Sequence, residues 1–250
     1  MTGTLYLIPN TLGDCGSVDP SVLAHIIPVA VQKLTATLSV FVAENAKSTR
    51  AFLKVVASVY PLAKPLQEIC IEELNINTAD DRLPALLAPL LAGQDIGLIS
   101  EAGVPAVADP GANLVRLAHQ HGVVVRPLVG PSSLLLAVMA SGLNGQSFAF
   151  NGYLPIDSNQ RGKRIRELEL RSRQERQTQL FIETPYRNQA MLEALLDHCR
   201  PDTLICVATD LTLPAESIRT RTAAQWKKAL ASNQVPDFQR KPSVFLLLST

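Results

Sequence analysis

Loops of small residues that follow short apolar runs are the first candidates for chemistry in this sequence. At residues 97–113, an apolar run that starts at Ile96 stops at Ser100 and gives way to glycine, alanine and proline. Small side chains let a backbone approach a ligand, and α/β sheets bind ligands at the carboxyl ends of their strands. Similar loops are Pro9–Gly13, Gly130–Ser133 and the turns after Glu183 and Ala208. We expect these loops to converge on one crevice and hold a ligand through backbone groups. The alternative is that glycine and proline only turn the chain.

The motifs of several common catalytic centres are absent. No Gly-x-Gly-x-x-Gly follows an apolar run, and neither Gly-x-x-x-x-Gly-Lys-Ser/Thr nor Gly-x-Ser-x-Gly occurs. This argues against a dinucleotide fingerprint, a P-loop and a hydrolase nucleophile elbow. Cysteines at 15, 70, 199 and 206 and histidines at 25, 119, 121 and 198 form no metal-binding spacing. We therefore expect no metal ion.

Length and composition indicate a globular protein without a membrane segment. The 250 residues suit two modest α/β domains or one large one, and 47% of them are hydrophobic. No apolar run reaches the roughly 18 residues that a membrane span needs, and the first residues lack the pattern of a signal peptide. With scattered thiols, these features predict a cytoplasmic protein. The net charge is +1, so any affinity for RNA has to come from a local basic patch.

Short apolar runs alternate with helical patterns, as in α/β proteins. In the first half we expect strands at 5–8, 38–43, 67–71, 95–99 and 123–125, and helices at 22–34, 46–58, 80–92 and 110–121. Asp109 is expected to be the N-cap of the last of these helices, with Pro110 at its first position.

A stiff turn at 127–133 marks the boundary between two predicted domains, 1–128 and 129–250. Ser132 in that turn is expected to cap an apolar helix at 134–140. The second half continues with strands at 148–150, 179–183, 203–208 and 244–248, and with helices that begin at Arg161, at Arg187 and near Trp226.

Five motifs in consistent order resemble the S-adenosylmethionine-dependent tetrapyrrole methylase superfamily. They are Gly3-Thr4-Leu5-Tyr6, Ser100–Pro105 with Asp109-Pro110-Gly111, Leu128–Ser133, Gly152–Pro155 and Phe181–Arg187. The sequence resembles in particular the branch that 2′-O-methylates a cytidine ribose of small-subunit ribosomal RNA. Val104 stands where tetrapyrrole-modifying relatives carry the Asp of a Gly-Asp-Pro motif, which favours the RNA branch.

The resemblance implies an α/β fold of two αβα subdomains, with mostly parallel or mixed sheets. It also implies a homodimer, and S-adenosyl-L-methionine bound in the cleft between the subdomains. Carried over position by position, the contacts to this methyl donor fall on small or apolar residues in both halves. They are Ile8, Pro9, Gly103, Val104, Val107, Ser132, Ser133, Tyr153, Phe181, Ala208 and Ser243.

The sequence also departs from the family pattern. The loop after the first predicted strand is one residue shorter than in the RNA branch. Glu44-Asn45-Ala46-Lys47 replaces a typical Glu-Asp-Thr-Arg, and Lys241-Pro242-Ser243 replaces a Lys-Gly-Glu. These departures are compatible with a site for the methyl donor and count against RNA as the acceptor.

Carboxylates just beyond strand ends are the candidates for a catalytic base. A ribose hydroxyl is a poor nucleophile, and a base within hydrogen-bond reach would accelerate its methylation by roughly 10²–10⁴-fold. Glu44 and Glu101 are the main candidates and Glu183 is the third. The alternative is that each carboxylate caps a helix or pairs with Lys47, Arg50 or Arg187.

Basic residues between Arg161 and Arg176 outnumber acidic ones by seven to three and form a candidate contact for RNA phosphates. The residues we expect to bind the substrate are Lys47, Arg50, Lys163, Arg164 and Arg187. The alternative is a solvated helix face with Glu169 and Arg173 as an ion pair.

The leading hypothesis is a methyltransferase that acts on RNA, most specifically in the small ribosomal subunit. A second hypothesis keeps the methyl donor but has a small molecule, such as a tetrapyrrole, or a protein as acceptor. A third is a homodimer that binds the donor and has lost catalysis.

Overall fold

A computed structural model describes residues 1–13 and 19–249, so Cys15 lies outside the described residues. The chain divides into two compact units, Met1–Ser132 and Ser133–Thr250, referred to below as the N-terminal and the C-terminal unit.

The N-terminal unit contains a five-stranded parallel sheet. Its strands are β1 (Thr4–Ile8), β2 (Val40–Ala43), β3 (Cys70–Glu73), β4 (Ile96–Ile99) and β5 (Val124–Pro127). They lie in the order β3-β2-β4-β1-β5, and every neighbouring pair is parallel. Strands β2 and β4 are buried along their whole length, as expected when both faces of a parallel sheet are covered.

Helices cover both faces of this sheet. They are α1 (Pro20–Ile26), α2 (Val29–Thr37), α3 (Ala46–Ala57), α4 (Leu83–Leu91) and α5 (Ala112–Gln120). Phe41 and Ala43 pack with α1, α2 and α3, whereas Val40 and Val42 pack with α4 and α5. The alternation of β2 side chains between the two clusters follows the two-residue period of a strand.

Two predicted helix boundaries are wrong. The single helix expected at 22–34 is two helices, because Ile27 is extended, as the residue before a proline usually is. Asp109 is not the N-cap of α5. That helix begins at Ala112, after Gly111, whose φ of 124° is open to glycine but strained for other residues.

The C-terminal unit contains a mixed sheet with helices on both faces. Its elements are α6 (Ser133–Ser141), β6 (Phe148–Tyr153), α7 (Ser158–Glu175), β7 (Thr178–Glu183), α8 (Asn188–His198), β8 (Leu204–Thr209), β9 (Ser217–Thr222), α9 (Ala223–Ala231) and β10 (Ser243–Leu248). The strand order is β6-β7-β10-β8-β9, with β6 and β7 parallel and the other pairs antiparallel.

Strand β9 was not predicted. Its sequence, Ser-Ile-Arg-Thr-Arg-Thr, has one aliphatic residue, so it lacks the apolar run by which the other strands were found. It follows β8 through a turn and pairs with it over six residues, from Leu204–Thr222 to Thr209–Ser217.

The core of the C-terminal unit lies between the sheet and α7, α8 and α9. Trp226 is fully buried there, and its indole Nε1 donates a hydrogen bond of 2.9 Å to the Ile205 carbonyl. Phe181 and Phe245 face each other across neighbouring strands with their rings parallel. In neither unit do the described residues include a helix long and apolar enough to cross a membrane.

Candidate functional site

The carboxyl ends of β1 and β4 form a topological switch point in the N-terminal unit. The two strands are neighbours, but the chain leaves β1 towards β2 on one side and leaves β4 towards β5 on the other. Open parallel sheets bind ligands at such points, because connections that leave two neighbouring strands towards opposite faces of the sheet leave a crevice between them. The loops at this position are 9–13 and 100–111, which include two of the small-residue loops found in the sequence.

Backbone hydrogen bonds join these two loops. The Asn10 amide donates to the Gly103 carbonyl at 2.8 Å, and the Gly103 amide donates to the Thr11 carbonyl at 3.3 Å. The loops after β1 and β4 therefore come together in this unit, as the sequence predicts for loops of this kind.

The loop after β5 closes against both of them. A Cβ atom on Gly103 would lie 3.2 Å from Leu12 Cδ2 and 3.6 Å from the Pro131 carbonyl oxygen. A Cβ atom on Gly130 would lie only 2.3 Å from Pro9 Cβ and Cγ. Residue 130 has to be glycine in this arrangement, because a side chain would overlap the proline ring. Three loops that are distant in sequence thus meet at Gly103 and Gly130.

The buried side chain of Asn10 joins the two loops of this crevice by hydrogen bonds. It is fully buried, and its Nδ2 donates to the carbonyls of Ser100 at 3.1 Å and Glu101 at 3.0 Å. Its Oδ1 accepts a hydrogen bond of 2.9 Å from the Thr11 amide. Asn10 thereby provides hydrogen-bond partners for backbone groups of its own loop and of the start of the loop after β4.

Three carboxylates gather at the same edge. Glu44 follows β2 directly, and its Oε2 accepts a 2.9 Å hydrogen bond from the Glu101 amide. Burial, together with the negative charges of Glu44 and Glu101, raises the pKa of Asp109 to about 7, although Ser100 donates a hydrogen bond to it. None of the three carboxylates takes part in the ion pairs formed by residues 1–13 and 19–249. This edge is therefore an unneutralised negative site.

The loop after β4 is held in an unusual backbone conformation. Ala106 and Ala108 have φ values of 65° and 64°, in the left-handed region that costs a residue with a Cβ atom about 1–2 kcal/mol. Such outliers are often found at ligand-binding sites. Val104 in the same loop is half-buried and Val107 is exposed.

The C-terminal unit presents a polar cluster at one edge of its own sheet. Glu183 ends β7, Ser243 begins β10 and Thr209 ends β8, and Ser243 is in register with both of the others. The Ser243 and Thr209 hydroxyl oxygens are 3.2 Å apart. All three residues are buried.

An ion pair between Glu183 and Arg187 anchors the turn after β7. Oε1 of Glu183 accepts hydrogen bonds from the Arg187 guanidinium and, at 2.7 Å, from the Thr184 amide. The Glu183 side chain is 1% exposed and that of Arg187 is 19% exposed. Of the two alternatives for this carboxylate, catalysis or pairing with a cation, the structure shows pairing. Arg187 is thereby committed to Glu183.

Asn188 closes the cluster from the first residue of α8. It is fully buried, and its Nδ2 donates to the carbonyls of Phe238 at 2.7 Å and Lys241 at 2.8 Å and to Ser243 Oγ at 3.1 Å. A single amide group therefore ties the loop before β10 to α8.

Comparison with known proteins identifies the family. The family model for the Tetrapyrrole (Corrin/Porphyrin) Methylases matches residues 25–226. The chain belongs to the tetrapyrrole methylases. A protein of Vibrio cholerae serotype O1 named ribosomal RNA small subunit methyltransferase I is 30% identical over 247 residues, which cover 98% of this chain and 76% of that protein. The family assignment made from sequence motifs is confirmed.

Solved structures show that this methylase has the fold of its family. The crystal structure of the methyltransferase CobJ has a TM-score of 0.61 at 18% identity and covers 100% of this chain and 95% of its own. A uroporphyrin-III C-methyltransferase of Thermus thermophilus, solved in complex with S-adenosyl homocysteine, has a TM-score of 0.53 at 18% identity and covers 99% and 98%. The predicted fold class, α/β with mostly parallel or mixed sheets, is confirmed.

The residues expected to contact the methyl donor of this methylase gather at one sheet edge within each unit. In the N-terminal unit, Ile8 and Pro9 are buried at the end of β1, next to the loops that carry Gly103 and Ser132. In the C-terminal unit, four more lie within two residues of the edge that contains Glu183: Tyr153, Phe181, Ala208 and Ser243. Ser133 is the first residue of α6. Their roles as donor contacts remain predictions.

The residues expected to bind the substrate differ in how they are already engaged. Lys47 and Arg50 are exposed on α3, and Lys163 is exposed on α7. Arg164 forms an ion pair of 3.2 Å with Glu167 and donates to Asn151. The expected pair of Glu169 and Arg173 is wrong. Glu169 is buried and accepts a hydrogen bond of 2.7 Å from the Arg200 amide.

The sequence analysis missed the two buried asparagines and the raised pKa of Asp109. Nothing in the sequence marks Asn10 or Asn188 as structural, because asparagine is common in any turn. Asp109 carried a signal that was misinterpreted: an Asp-Pro-Gly tripeptide was taken as a helix start. Across the described residues, no group of three or more His, Cys, Asp or Glu side chains is placed to hold a metal ion.

Proposed function

We propose that this methylase transfers a methyl group from S-adenosylmethionine to the 2′-hydroxyl of a cytidine ribose in small-subunit ribosomal RNA. The observation that carries the proposal is the crevice at the switch point between β1 and β4, which has three converging loops and an unneutralised carboxylate cluster. The name of the relative from Vibrio cholerae supports the choice of acceptor.

The residues of the crevice fit the methyl donor in charge. Gly103 and Gly130 allow the three loops around the crevice to pack closely against one another. S-adenosylmethionine carries a positively charged sulfur, and Glu44, Glu101 and Asp109 supply a negative potential that favours a cation. The complex of the Thermus thermophilus neighbour with S-adenosyl homocysteine supports the same class of cofactor.

When bound, the cofactor supplies a methyl group on a sulfonium, a good leaving group for in-line displacement. The task of this chain is to hold the acceptor oxygen in line with that methyl group. Such positioning can lower the activation barrier by about 7–11 kcal/mol. Asn10 maintains the loop positions on which this alignment depends.

A carboxylate takes the proton that the ribose hydroxyl loses. Asp109 is suited to this role because its pKa of about 7 lies close to neutral pH, where a general base is most effective. Glu101 is exposed and is the second candidate for the general base. Glu44 orients Glu101 by accepting a hydrogen bond from the backbone amide of Glu101. Glu44 is therefore proposed as a positioning residue.

Exposed cations beside the crevice are proposed to contact the RNA. Lys47 and Arg50 lie on α3, which begins directly after Glu44 and Asn45. Lys163 and Arg164 on α7 and Arg187 complete the set proposed from the sequence, although Arg164 and Arg187 have carboxylate partners. A homodimer, a small-subunit substrate and a cytoplasmic location are part of the same proposal.

Transfer of labelled methyl groups tests this function. Purified protein is incubated with S-adenosylmethionine carrying a labelled methyl group and either small ribosomal subunits or naked small-subunit RNA that lack the modification. We expect label in 2′-O-methylcytidine after digestion to nucleosides, and its loss in Asp109→Asn. Label in a porphyrinoid offered in the same assay, with none in RNA, would overturn the acceptor but not the cofactor. Binding of the donor without transfer to either acceptor would favour the inactive homodimer.

A further inference from the structure

A strongly basic surface lies on β9 and α9, which contribute no residue to the candidate site. From Ser217 to Ala231 the chain contains four basic residues and no acidic one; the four are Arg219, Arg221, Lys227 and Lys228. None of the four takes part in an ion pair with a described residue. This segment therefore has an uncompensated charge of +4 over 15 residues.

Helix α7 has more cations, but two of its arginines already have carboxylate partners on the helix. Arg164 pairs with Glu167 and Arg171 pairs with Glu175 along the same helix. Arg166 is engaged with Nδ1 of His198 at 2.9 Å. A cation that already has a carboxylate partner gains little from a phosphate, because the new contact has to replace the old one. Uncompensated charge is the better guide to an anion site.

The geometry around Arg221 adds a preformed binding site to this charge. Its guanidinium lies 5.0 Å from the centre of the Trp226 ring and donates to the Gln234 carbonyl at 3.3 Å. Trp226 is itself fixed in the core, so the guanidinium rests on a rigid platform. A guanidinium has five N–H donors, and the donors that do not bind the Gln234 carbonyl can form two parallel hydrogen bonds to a phosphate.

A groove of about 460 Å³ opens beside Arg221, between the edge of the sheet and α9. Lys228 on α9 lines the same groove, together with the polar side chains of Gln225, Ser232 and Gln234. The residues opposite Arg219 and Arg221 on β8 are Val207 and Ile205, so no carboxylate faces the cations across the strand pair.

We propose that this basic groove, formed around Arg221 and Lys228, binds the phosphodiester backbone of the RNA substrate. The proposal rests on the proposed function, because it assigns a docking surface for the same acceptor. Two cations, amide and hydroxyl donors, and no acidic neighbour match a phosphate in charge and in hydrogen bonding. With few aromatic side chains in its lining, the groove is suited to contact the backbone and to leave sequence selection to other parts of the protein.

The salt dependence of RNA binding tests the proposal directly. The affinity for naked small-subunit RNA is measured over a range of salt concentrations for the wild type and for the double variant Arg221→Gln and Lys228→Gln. Each lost phosphate contact lowers the slope of log affinity against log salt by about 1, so we expect a decrease of about 2. In the methyl transfer assay, KM for the RNA should rise while kcat and the affinity for S-adenosylmethionine stay unchanged.

The matched control removes the same charge elsewhere. Arg82→Gln with Arg200→Gln removes two exposed cations that are paired with Glu72 and Asp202, and we expect it to leave the salt slope unchanged. Because Arg221 packs on Trp226, a second groove variant, Lys228→Gln, changes an exposed side chain only and should lower the slope by about 1.

The outcomes separate this inference from the proposed function. Equal slopes for the wild type and both groove variants would overturn the groove as a phosphate site. A defect with intact small subunits but not with naked RNA would also overturn it, in favour of contact with a ribosomal protein. If the wild type binds RNA through the groove but transfers no methyl group to it, the groove assignment stands and the proposed reaction fails.

Discussion

Two buried asparagines hold the functional edges of the two units, and they do so in different ways. Asn10 uses both ends of its amide and binds only backbone groups, two carbonyls and one N–H. Asn188 uses its Nδ2 for two carbonyls and a hydroxyl, while its buried Oδ1 has no partner among the described residues. At the N-terminal edge, both the oxygen and the nitrogen of the asparagine amide therefore have hydrogen-bond partners. At the C-terminal edge, the amide oxygen is a hydrogen-bond acceptor without a partner among the described residues.

The two edges also differ in charge. In the N-terminal unit, carboxylates collect without cations, and the pKa of Asp109 is raised. In the C-terminal unit, the carboxylates at the edge have partners: Glu183 with Arg187, and Asp210 with Lys241 at 3.4 Å. An edge that leaves its charges unneutralised loses stability, and a cationic ligand recovers it. An edge whose carboxylates form ion pairs is held rigid by them. This difference is the reason for proposing the catalytic carboxylate in the N-terminal unit.

Removal of the Asn10 side chain should have the largest effect. Asn10→Ala removes the side-chain hydrogen bonds to the buried Ser100 carbonyl, the partly buried Glu101 carbonyl and the Thr11 N–H, so we expect the free energy of unfolding to fall by about 3 kcal/mol. The affinity for S-adenosylmethionine should fall more than tenfold, because the loops lose their register. Urea denaturation and calorimetry measure the two quantities.

A variant at the same sheet edge provides the control for Asn10. Asn45 caps α3 by accepting hydrogen bonds from Lys47 and Ser48. Asn45→Ala should cost about 1 kcal/mol, the usual loss for an N-cap, and leave the donor affinity intact. Equal losses of donor affinity in the two variants would contradict the special role of Asn10.

Neutralising Glu183 tests whether the C-terminal edge is built for rigidity. Glu183→Gln leaves a half-buried Arg187 without its counter-charge, so we expect a loss of about 2 kcal/mol in thermal or urea unfolding. The control is Glu175→Gln on the exposed pair with Arg171, which should cost less than about 0.5 kcal/mol. If both substitutions cost the same, the buried pair is not a structural anchor.

The pH dependence of stability should report the unneutralised N-terminal edge. The pKa of Asp109 rises from 3.8 to about 7 on folding, so between these values the folded protein holds a proton that the unfolded chain has released. Stability therefore falls as pH rises from about 4 to 7, and the loss is complete above that range. Asp109→Asn should flatten this part of the curve and stabilise the protein at pH 8. An unchanged profile of urea midpoints against pH would refute the assignment.

The smallest effect is expected at the left-handed alanines. Ala106→Gly relieves a strained conformation, so stability should increase by about 1 kcal/mol or less, since glycine also has more conformational freedom to lose. A loss of donor affinity with this gain in stability would show that the loop is held rigid for binding. Ala112→Gly, at the start of α5, should instead destabilise the protein.

The sequence allowed most elements of the fold to be predicted because their apolar runs are short and regular. Strands β1 and β4 were found almost to the residue, since each ends at a proline or serine that breaks the run. Strand β9 was missed because its stability comes from its pairing with β8, which no local pattern encodes.

The contact between loops of the N-terminal unit could be predicted from the sequence, whereas the partners of the side chains could not. Glycines at 103 and 130 signal close backbone approach, and they lie where loops meet. The raised pKa of Asp109 depends on charges 65 and 8 residues away in sequence, at Glu44 and Glu101. Burial and long-range proximity of this kind exist only after the chain has folded.

The arginines on β9 have a second consequence for the behaviour of the protein in a crowded solution. β9 is the last strand of its sheet, so its outer backbone groups are a template on which another extended chain could add. Arg219 and Arg221 place like charges along that rim, and two such rims repel each other. Variants that neutralise these arginines are therefore expected to aggregate more readily during refolding, so they should be handled at low protein concentration.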